Sequence, residues 1–531
     1  MPNNFNTIDN INKINNTSIL QWLENSAKQF PDKAAFTDAA SSVTFSELEK
    51  KAKEAAFIIC KYTQPSTPVA FYLEKSTKAV CAMMGTVYAG CFYSFIDVRQ
   101  PQSRADNVLK TLNPSLIITD KENLETLQTL EIFSDIKYIN IDELFSNTNA
   151  SAKYEASNPI DEKLLQQRKD SVLDITPLYV NFTSGSTGNP KGVTVSHRSV
   201  IDFIPVFCEQ FSLTHEDSFC NQAPFDFDVS VKDIYSGLYL GATVHLIPRD
   251  YFSAPLKLMD FICDKKPTVL VWAVSALCFV SIMKGLDYKT PDSIKTIMFS
   301  GEVMPIKQLH IWQKFIPNAK YVNLYGPTEI TCNCTYYILD KNFSDTEVIP
   351  IGKPFGNEKV FLLDEDNKLI TQPNIQGELC VSGTCLALGY YNNKERTDEA
   401  FVQNPLNSYY NEIIYRTGDL AKYDESGNLI YIGRKDFQIK HMGHRIELGE
   451  IEISAMSING VSRACCLYDS EKKRIILFYT GNIEKSNITK QLRLKLPPFM
   501  IPSTVKQIEE MPLNKNGKID RKALTAIYNE K

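Results

Sequence analysis

Apolar positions along this chain fall into short continuous runs, and the stretches between them carry helical spacing. Residues 68–73 (PVAFYL), 115–119 (SLIIT), 243–247, 268–272, 296–299 and 321–324 are runs rich in Val, Ile, Leu and aromatic side chains. Runs of that length suit strands buried on both faces. Between them, segments such as 19–30 (ILQWLENSAKQF) and 77–89 place apolar residues at helical intervals. The alternation predicts α/β layers built on largely parallel sheets. After about residue 350 the pattern changes, and 360–363, 377–382 and 429–433 read as short strands joined by turns such as 424–428 (DESGN). From about 437 a separate set of strand and helix signals follows (SRACCLYD, RIILFYTG, ITKQLRLKL). The expected organisation is a disordered, Asn-rich tail over 1–18, a large α/β domain of several subdomains over 19–435, and a small α+β domain over 436–531. No internal repeat, heptad array or long low-complexity tract interrupts it.

Composition narrows the function classes. A chain of 531 residues is too long for one hydrophobic core. Net charge of −5 and a pI of about 5.9 give no footprint for nucleic acid or an anionic membrane as the main partner. The longest apolar stretches, 69–72 and 269–274, fall far short of membrane-spanning length. The N-terminus has neither the apolar core nor the positive cluster of a secretory leader, so a cytoplasmic protein is expected. The 13 cysteines are scattered, with no C-x-x-C pair, and most lie in apolar runs. They read as buried reduced thiols. The 6 histidines show no metal spacing.

The densest chemical signal is 179–192, YVNFTSGSTGNPKG. An apolar run leads into a loop of Thr, Ser, Gly and Asn closed by Pro190–Lys191–Gly192. Glycines let backbone approach an anion, hydroxyls and amides donate to phosphate oxygens, and Lys191 supplies charge. The G-x-x-x-x-G-K-[ST] spacing of a Walker A loop is absent. A Gly/Ser-rich surface turn is the structural alternative.

Residues 183–192 resemble the phosphate-loop signature of the adenylate-forming superfamily, which includes acyl-CoA synthetases, luciferases and the adenylation domains of nonribosomal peptide synthetases. Further motifs similar to that superfamily's follow in order: 323–329 (NLYGPTE), 377–389 (GELCVSGTCLALG), 415–420 (YRTGDL), 433–447 (GRKDFQIKHMGHRIE) and 516–522 (NGKIDRK). Segments 221–235 (NQAPFDFDVSVKDIY) and 299–305 (FSGEVMP) bring the chain nearest to amino-acid adenylation domains and D-alanine–carrier protein ligases.

The resemblance implies ATP-dependent activation of an acid as an acyl-adenylate, then transfer to a phosphopantetheine thiol. It places Thr183, Ser184, Gly185, Ser186, Thr187, Gly188 and Lys191 at the phosphates. Tyr325 would stack on adenine with Gly301 and Glu302 at its edge, and Asn323, Gly326 and Thr328 lie in the same motif region. Asp419 would receive the ribose hydroxyls, with Arg434 beside it. Glu329 is the implied Mg²⁺ ligand, a hard oxygen donor beside the phosphates. Lys518 would bridge the substrate carboxylate and the α-phosphate. Asp436 is the hinge position, and Gly443 would line the thiol channel after the small domain rotates. His444 and Arg445 are expected to be supporting or surface groups, and His197 structural.

Asp228 is implied as the counter-charge of an α-ammonium, which fatty-acid and aryl-acid activators do not need; Asp226 is the competing aspartate. The implied side-chain pocket is Val229, Lys232, Ser275, Met298, Ser300, Leu324, Cys332 and Asn333. D-alanine ligases carry a cysteine at the position of Ser300 and an apolar residue at that of Lys232, which puts D-alanine in doubt. Met298, Ser300 and Leu324 resemble the lining of serine-activating domains, whereas Lys232 resembles a feature of glutamate activators. The expected substrate is an amino acid with a small polar side chain, handed to a carrier protein in trans. D-alanine, an acidic amino acid, and an acyl- or aryl-CoA synthetase remain alternatives, as does a non-catalytic nucleotide binder.

Overall fold

The computed structural model describes residues 17–132, 136–145, 159–185, 189–513 and 519–529. Among them the strands form sheets of nine, seven, six, three and two. Two of these are the parallel layers expected from the apolar runs. The nine-stranded sheet has Ser218–Asn221, Thr243–Leu246, Val269–Ala273, Thr296–Ser300 and Lys320–Tyr325 in parallel at its centre. The seven-stranded sheet is parallel through Phe92–Phe95, Pro68–Tyr72, Leu116–Thr119 and Tyr138–Asn140. Antiparallel pairing of Pro177–Thr183 with Lys191–Ser196 extends it.

Every residue of Pro68–Tyr72, Val269–Ala273 and Thr296–Ser300 is buried, which is why these strands read as unbroken apolar runs rather than alternating ones. Helices Leu20–Gln29, Phe45–Ile59, Thr77–Tyr88, His197–Phe211 and Ser230–Leu240 share one hydrophobic cluster with inner residues of both sheets, such as Phe71 and Leu246. Each large side chain buried there contributes about 1.5–3 kcal/mol. Local signals start these helices: Thr44 and Glu47 form a capping box, and Ser76 accepts from the Ala79 amide. Ser18, placed in the tail by the sequence, is buried at the start of the first helix; residues 1–16 lie outside the described residues.

The six-stranded sheet (358–434) is antiparallel and has its own core. Beyond Arg434 the hairpin Gln438–His441/His444–Glu447 leads into a three-stranded sheet, whose core is built from residues such as Ile451, Leu477 and Ile488. The described cysteines are all free, and all but Cys263 are buried. No described helix is long and apolar enough to cross a membrane.

Candidate active site

Strand Pro177–Thr183 carries Ser184 and Gly185 to the mouth of a cleft, and Thr183 faces Lys191 across the hairpin. Ser186, Thr187 and Gly188 lie outside the described residues. Ser184 Oγ donates to the Arg445 carbonyl at 2.6 Å and accepts from the Glu447 amide at 3.2 Å. Lys191 Nζ sits 4.9 Å from the centre of the Tyr390 ring and 3.7 Å from Glu329. Burial, with Arg445 adding to it, lowers its ammonium to about 8.

Glu329, in the short turn Thr328–Ile330, is fully buried. The Tyr390 hydroxyl donates to its Oε1 at 2.7 Å and Arg445 Nη1 to its Oε2 at 2.6 Å. Burial pushes the carboxyl up, but the charges of Arg445 and Lys191 overcome this and hold it at about 2. Arg445 is therefore no surface group. His444 is half-buried, stacked on Phe499 at 3.6 Å, with desolvation lowering its imidazole to about 4. The sequence read both as supporting or surface residues because a spacing cannot show that this hairpin folds back into the cleft. His197 is structural as expected: it is buried and accepts from the Ile19 amide.

Tyr325 ends the strand Lys320–Tyr325, and its hydroxyl donates to Asp419. Asp419 pairs in register with Arg434 across two antiparallel strands, and Arg434 Nη1 donates to its other oxygen at 2.9 Å. Arg434 also holds Asp436 through Nη2 at 2.6 Å. Gly301 and Glu302, just past the strand Thr296–Ser300, line a largely apolar cavity of about 680 Å³ with Asn323 and Tyr325. Gly301 needs glycine for its φ of +94°. Gly326 has no room for a side chain, since a Cβ would come within 2.5 Å of the Asn333 backbone.

The hairpin brings Gly443 to Glu302, which lines that cavity. Its amide donates to Glu302 at 2.5 Å, and with φ +79° an added Cβ would meet Ser275 Oγ at 3.2 Å and Ala273 Cβ at 3.4 Å. Lys440 lies 5.3 Å from the Tyr325 ring centre. Lys518 lies outside the described residues.

The two aspartates of the 224–230 turn face opposite ways. Asp226 lines a separate small cavity with Asp97 and Arg249, and burial together with Asp97 raises its carboxyl to about 7. Asp228 faces Thr328, Lys232 and Lys440; burial raises its carboxyl, against a Thr328 hydrogen bond and the two lysine charges. Lys232 is fully buried and does not turn outward: Nζ donates to Cys332 Sγ at 2.9 Å and to Asn333 Oδ1. Met298 and Ser300 lie two apart on one strand, hence on one face, and with Val229, Leu324, Cys332 and Asn333 they are buried; Ser275 is half-buried. Thr331 and Cys332 have φ of +57° and +91°. Such non-glycine conformations cost about 1–3 kcal/mol each and gather at functional sites. Here Thr331 Oγ1, donating to the Cys385 carbonyl at 2.7 Å, pins the turn.

Two polar residues that precede Thr183 on its strand escaped the motif reading. Tyr179, Asn181 and Thr183 occupy alternate positions of one strand, and Tyr179 Oη, Asn181 Oδ1 and Thr183 Oγ1 are all buried without a partner among the described residues. Tyr179 is close enough to Asp228 for its charge to act on it. The available signal was the period-two run of polar residues in an otherwise apolar strand.

With this geometry in place, the comparisons are consistent with it. A family model described as AMP-binding enzyme matches residues 23–391. Zwittermicin A synthase ZmaJ of Bacillus cereus is 32% identical over 528 residues, covering 97% of this chain and 96% of the relative. Tyrocidine synthase 3 of Brevibacillus parabrevis is 32% identical over 519 residues; that covers 96% of this chain, which spans only 8% of the relative's length. Among solved structures, the Vibrio cholerae adenylation domain AlmE in complex with glycyl-adenosine-5'-phosphate superposes with a TM-score of 0.79, covering 97% of this chain and 98% of that one at 22% identity. That likeness establishes the fold.

Proposed function

The chain belongs to the AMP-binding enzyme family, ATP-dependent ligases that form an adenylate and then a thioester, and on that premise we propose that it activates an amino acid with a small polar side chain and passes it to the phosphopantetheine thiol of a separate carrier protein. The observation that carries this reading is the Asp228–Lys232 arrangement. A buried carboxylate, suited to an α-ammonium, lies near a buried ammonium whose hydrogen-bond partners are only a thiol and an amide oxygen. A hydroxyl, amide or carboxylate on the substrate side chain supplies the acceptor that Lys232 lacks. Full burial of Lys232 also favours a second reading, an acidic amino acid, more than the sequence did. Constriction by Met298, Ser300 and Leu324 keeps the small polar side chain first.

The residues divide the work. Thr183, Ser184, Gly185 and Lys191 hold the phosphates, Tyr325 the adenine, and Asp419 the ribose. Gly301 and Glu302 edge the adenine, and Gly443 lines the channel of the thiol arm. Asp436, tied to Arg434, marks the hinge about which the small domain 436–531 moves. Lys518 is assigned the adenylation step from its motif alone.

Glu329 fits a magnesium ion. Its carboxylate stays ionised, and among the described residues no cluster of three His, Cys, Asp or Glu competes for a metal. A single carboxylate is the donor set of magnesium held mainly by phosphates and water. Bound there, the ion would neutralise phosphate charge; Arg445 fills that cationic role in the present arrangement.

ATP–pyrophosphate exchange with the proteinogenic amino acids, their D-forms and β-alanine tests the proposal. Exchange with one small polar amino acid, followed by thioester formation on an added carrier, is the expected result. Exchange confined to acids without an amine would overturn it.

A further inference from the structure

The turn that carries Asp228 is held at both ends by one ammonium from the other large sheet. Lys75 follows strand Pro68–Tyr72 of the seven-stranded sheet and precedes helix Thr77–Tyr88. Its half-buried side chain reaches the end of strand Ser218–Asn221 in the nine-stranded sheet. There Nζ donates to the carbonyls of Asn221, Gln222 and Ala223 at 3.0, 2.8 and 3.1 Å. A strand sends successive carbonyls to opposite sides, so three in a row on one nitrogen mean that the chain has left the sheet and curls around the charge. Nζ also donates to Asn221 Oδ1 at 2.8 Å, and Asn221 Nδ2 donates onward to Asp233 Oδ2 at 2.9 Å. Asp233 stands in helix Ser230–Leu240 beside Lys232, and its charge and that of Lys75 act on each other. Residues 221–223 are the entrance to the 224–230 turn, and Asp233 lies just past its exit.

We propose that Lys75 is a positioning residue for the amino acid: by fixing both ends of the turn, it holds the Asp228 carboxylate where the substrate's α-ammonium meets it. The inference rests on the reading of Asp228 given above. Within the turn the backbone bonds are short-range, from the Phe227 amide to the Pro224 carbonyl and from the Ser230 amide to the Phe227 carbonyl. Such bonds shape the turn but do not set where it sits against the sheet. Lys75 sets that, because it ties the turn to a second sheet with charge-assisted bonds. Without the ammonium, three carbonyls that converge on one point repel one another and lose their charged donor, so the segment relaxes and carries Asp228 with it. A recognition group displaced in this way binds its partner less well. A role in stability alone would behave differently: it would lower the melting temperature and the fraction of active protein, and leave KM for every substrate where it was.

The test is ATP–pyrophosphate exchange with the amino acid that the wild-type protein uses best. Lys75→Met removes the charge and keeps the length of the side chain. It should raise KM for the amino acid about tenfold, with KM for ATP within about twofold of wild type. Lys75→Arg keeps a charged donor and should lie closer to wild type than to Lys75→Met. Asn221→Ala leaves the three carbonyls on Lys75 and cuts the link to Asp233. It should raise the same KM about threefold, and it carries the test if Lys75→Met does not fold. Unchanged KM for the amino acid in the folded variants overturns the proposal, even where the melting temperature falls, since Lys75 then only stabilises the fold. An equal rise in KM for ATP and the amino acid overturns it too, by showing that the whole cleft has shifted. So does a Lys75→Arg protein no better than Lys75→Met, because the charge is then not what acts. Exchange by the wild type only with acids that lack an amine would overturn the reading of Asp228 itself, a result that stands apart from any Lys75 variant.

Discussion

The nucleotide side of the cleft and the side-chain pocket treat their charges in opposite ways. Around the nucleotide position Glu329, Asp419 and Asp436 are matched by Arg445, Arg434 and Lys191, each pair within 4 Å. In the pocket Lys232 donates only to a thiol and an amide oxygen, with Asp228 and Asp233 acting on it through charge alone, and Tyr179 Oη has no partner among the described residues. The difference follows from what each side must accommodate. A nucleotide brings the same charges every time, so the protein can neutralise itself and exchange one cation for another at little net cost; Arg445, on the hairpin that follows Asp436, is placed to be such an exchangeable partner. A pocket that selects one side chain must instead hold groups whose burial is costly until that side chain arrives.

The contrast can be broken most severely at Asp228. Asp228→Ala leaves a substrate ammonium buried without counter-charge, worth roughly 3–5 kcal/mol, so exchange with any α-amino acid should fall by two to three orders of magnitude. Unchanged turnover would return Asp226 to consideration. Lys232→Met comes next. If the Lys232 ammonium reads the substrate, kcat/KM for the preferred amino acid should drop about 10²-fold while KM for ATP stays put; an unaffected preferred substrate would mean that Lys232 only lines the wall.

On the matched side smaller effects are expected, confined to one half-reaction. Arg445→Ala removes a charged hydrogen bond of about 1.5–3 kcal/mol from the docked hairpin, so thioester formation should slow tenfold or more with exchange unaltered. Equal loss of both activities would show that Arg445 serves adenylation too. The mildest effect is on pH dependence. Lys191 titrates at about 8 in the folded chain, below its ordinary 10.5. Its charge therefore weighs against folding below pH 8, and stability from this group rises between pH 8 and 10.5 as the folded form sheds the proton first. Phosphate binding runs the other way, so kcat/KM for ATP should decline above about pH 8. Lys191→Arg should abolish that decline; if it persists, another group titrates.

Much of this was readable along the chain because it depends on local order. The continuous apolar runs at 68–72 and 296–300 identify buried parallel strands, since such strands present no solvent face to be polar. The motif containing Thr183 and Lys191 is legible because a phosphate loop is contiguous. The pairing of Asp419 with Arg434 needed only two adjacent strands. Other features depend on groups far apart in sequence. The sequence favours Asp228 over Asp226 only through the resemblance of the residues that follow, and the packing of their turn against Thr328 on one side and Arg249 on the other separates the two in space. The direction of Lys232 was set by Asn333, 101 positions away, and the burial of Arg445 by Glu329, 116 positions away. The sequence by itself determined the family, the layered fold and the inventory of charged groups. Which of those groups face one another, and which are left for a ligand, only the tertiary structure decided, because a partner across space leaves no periodicity along the chain.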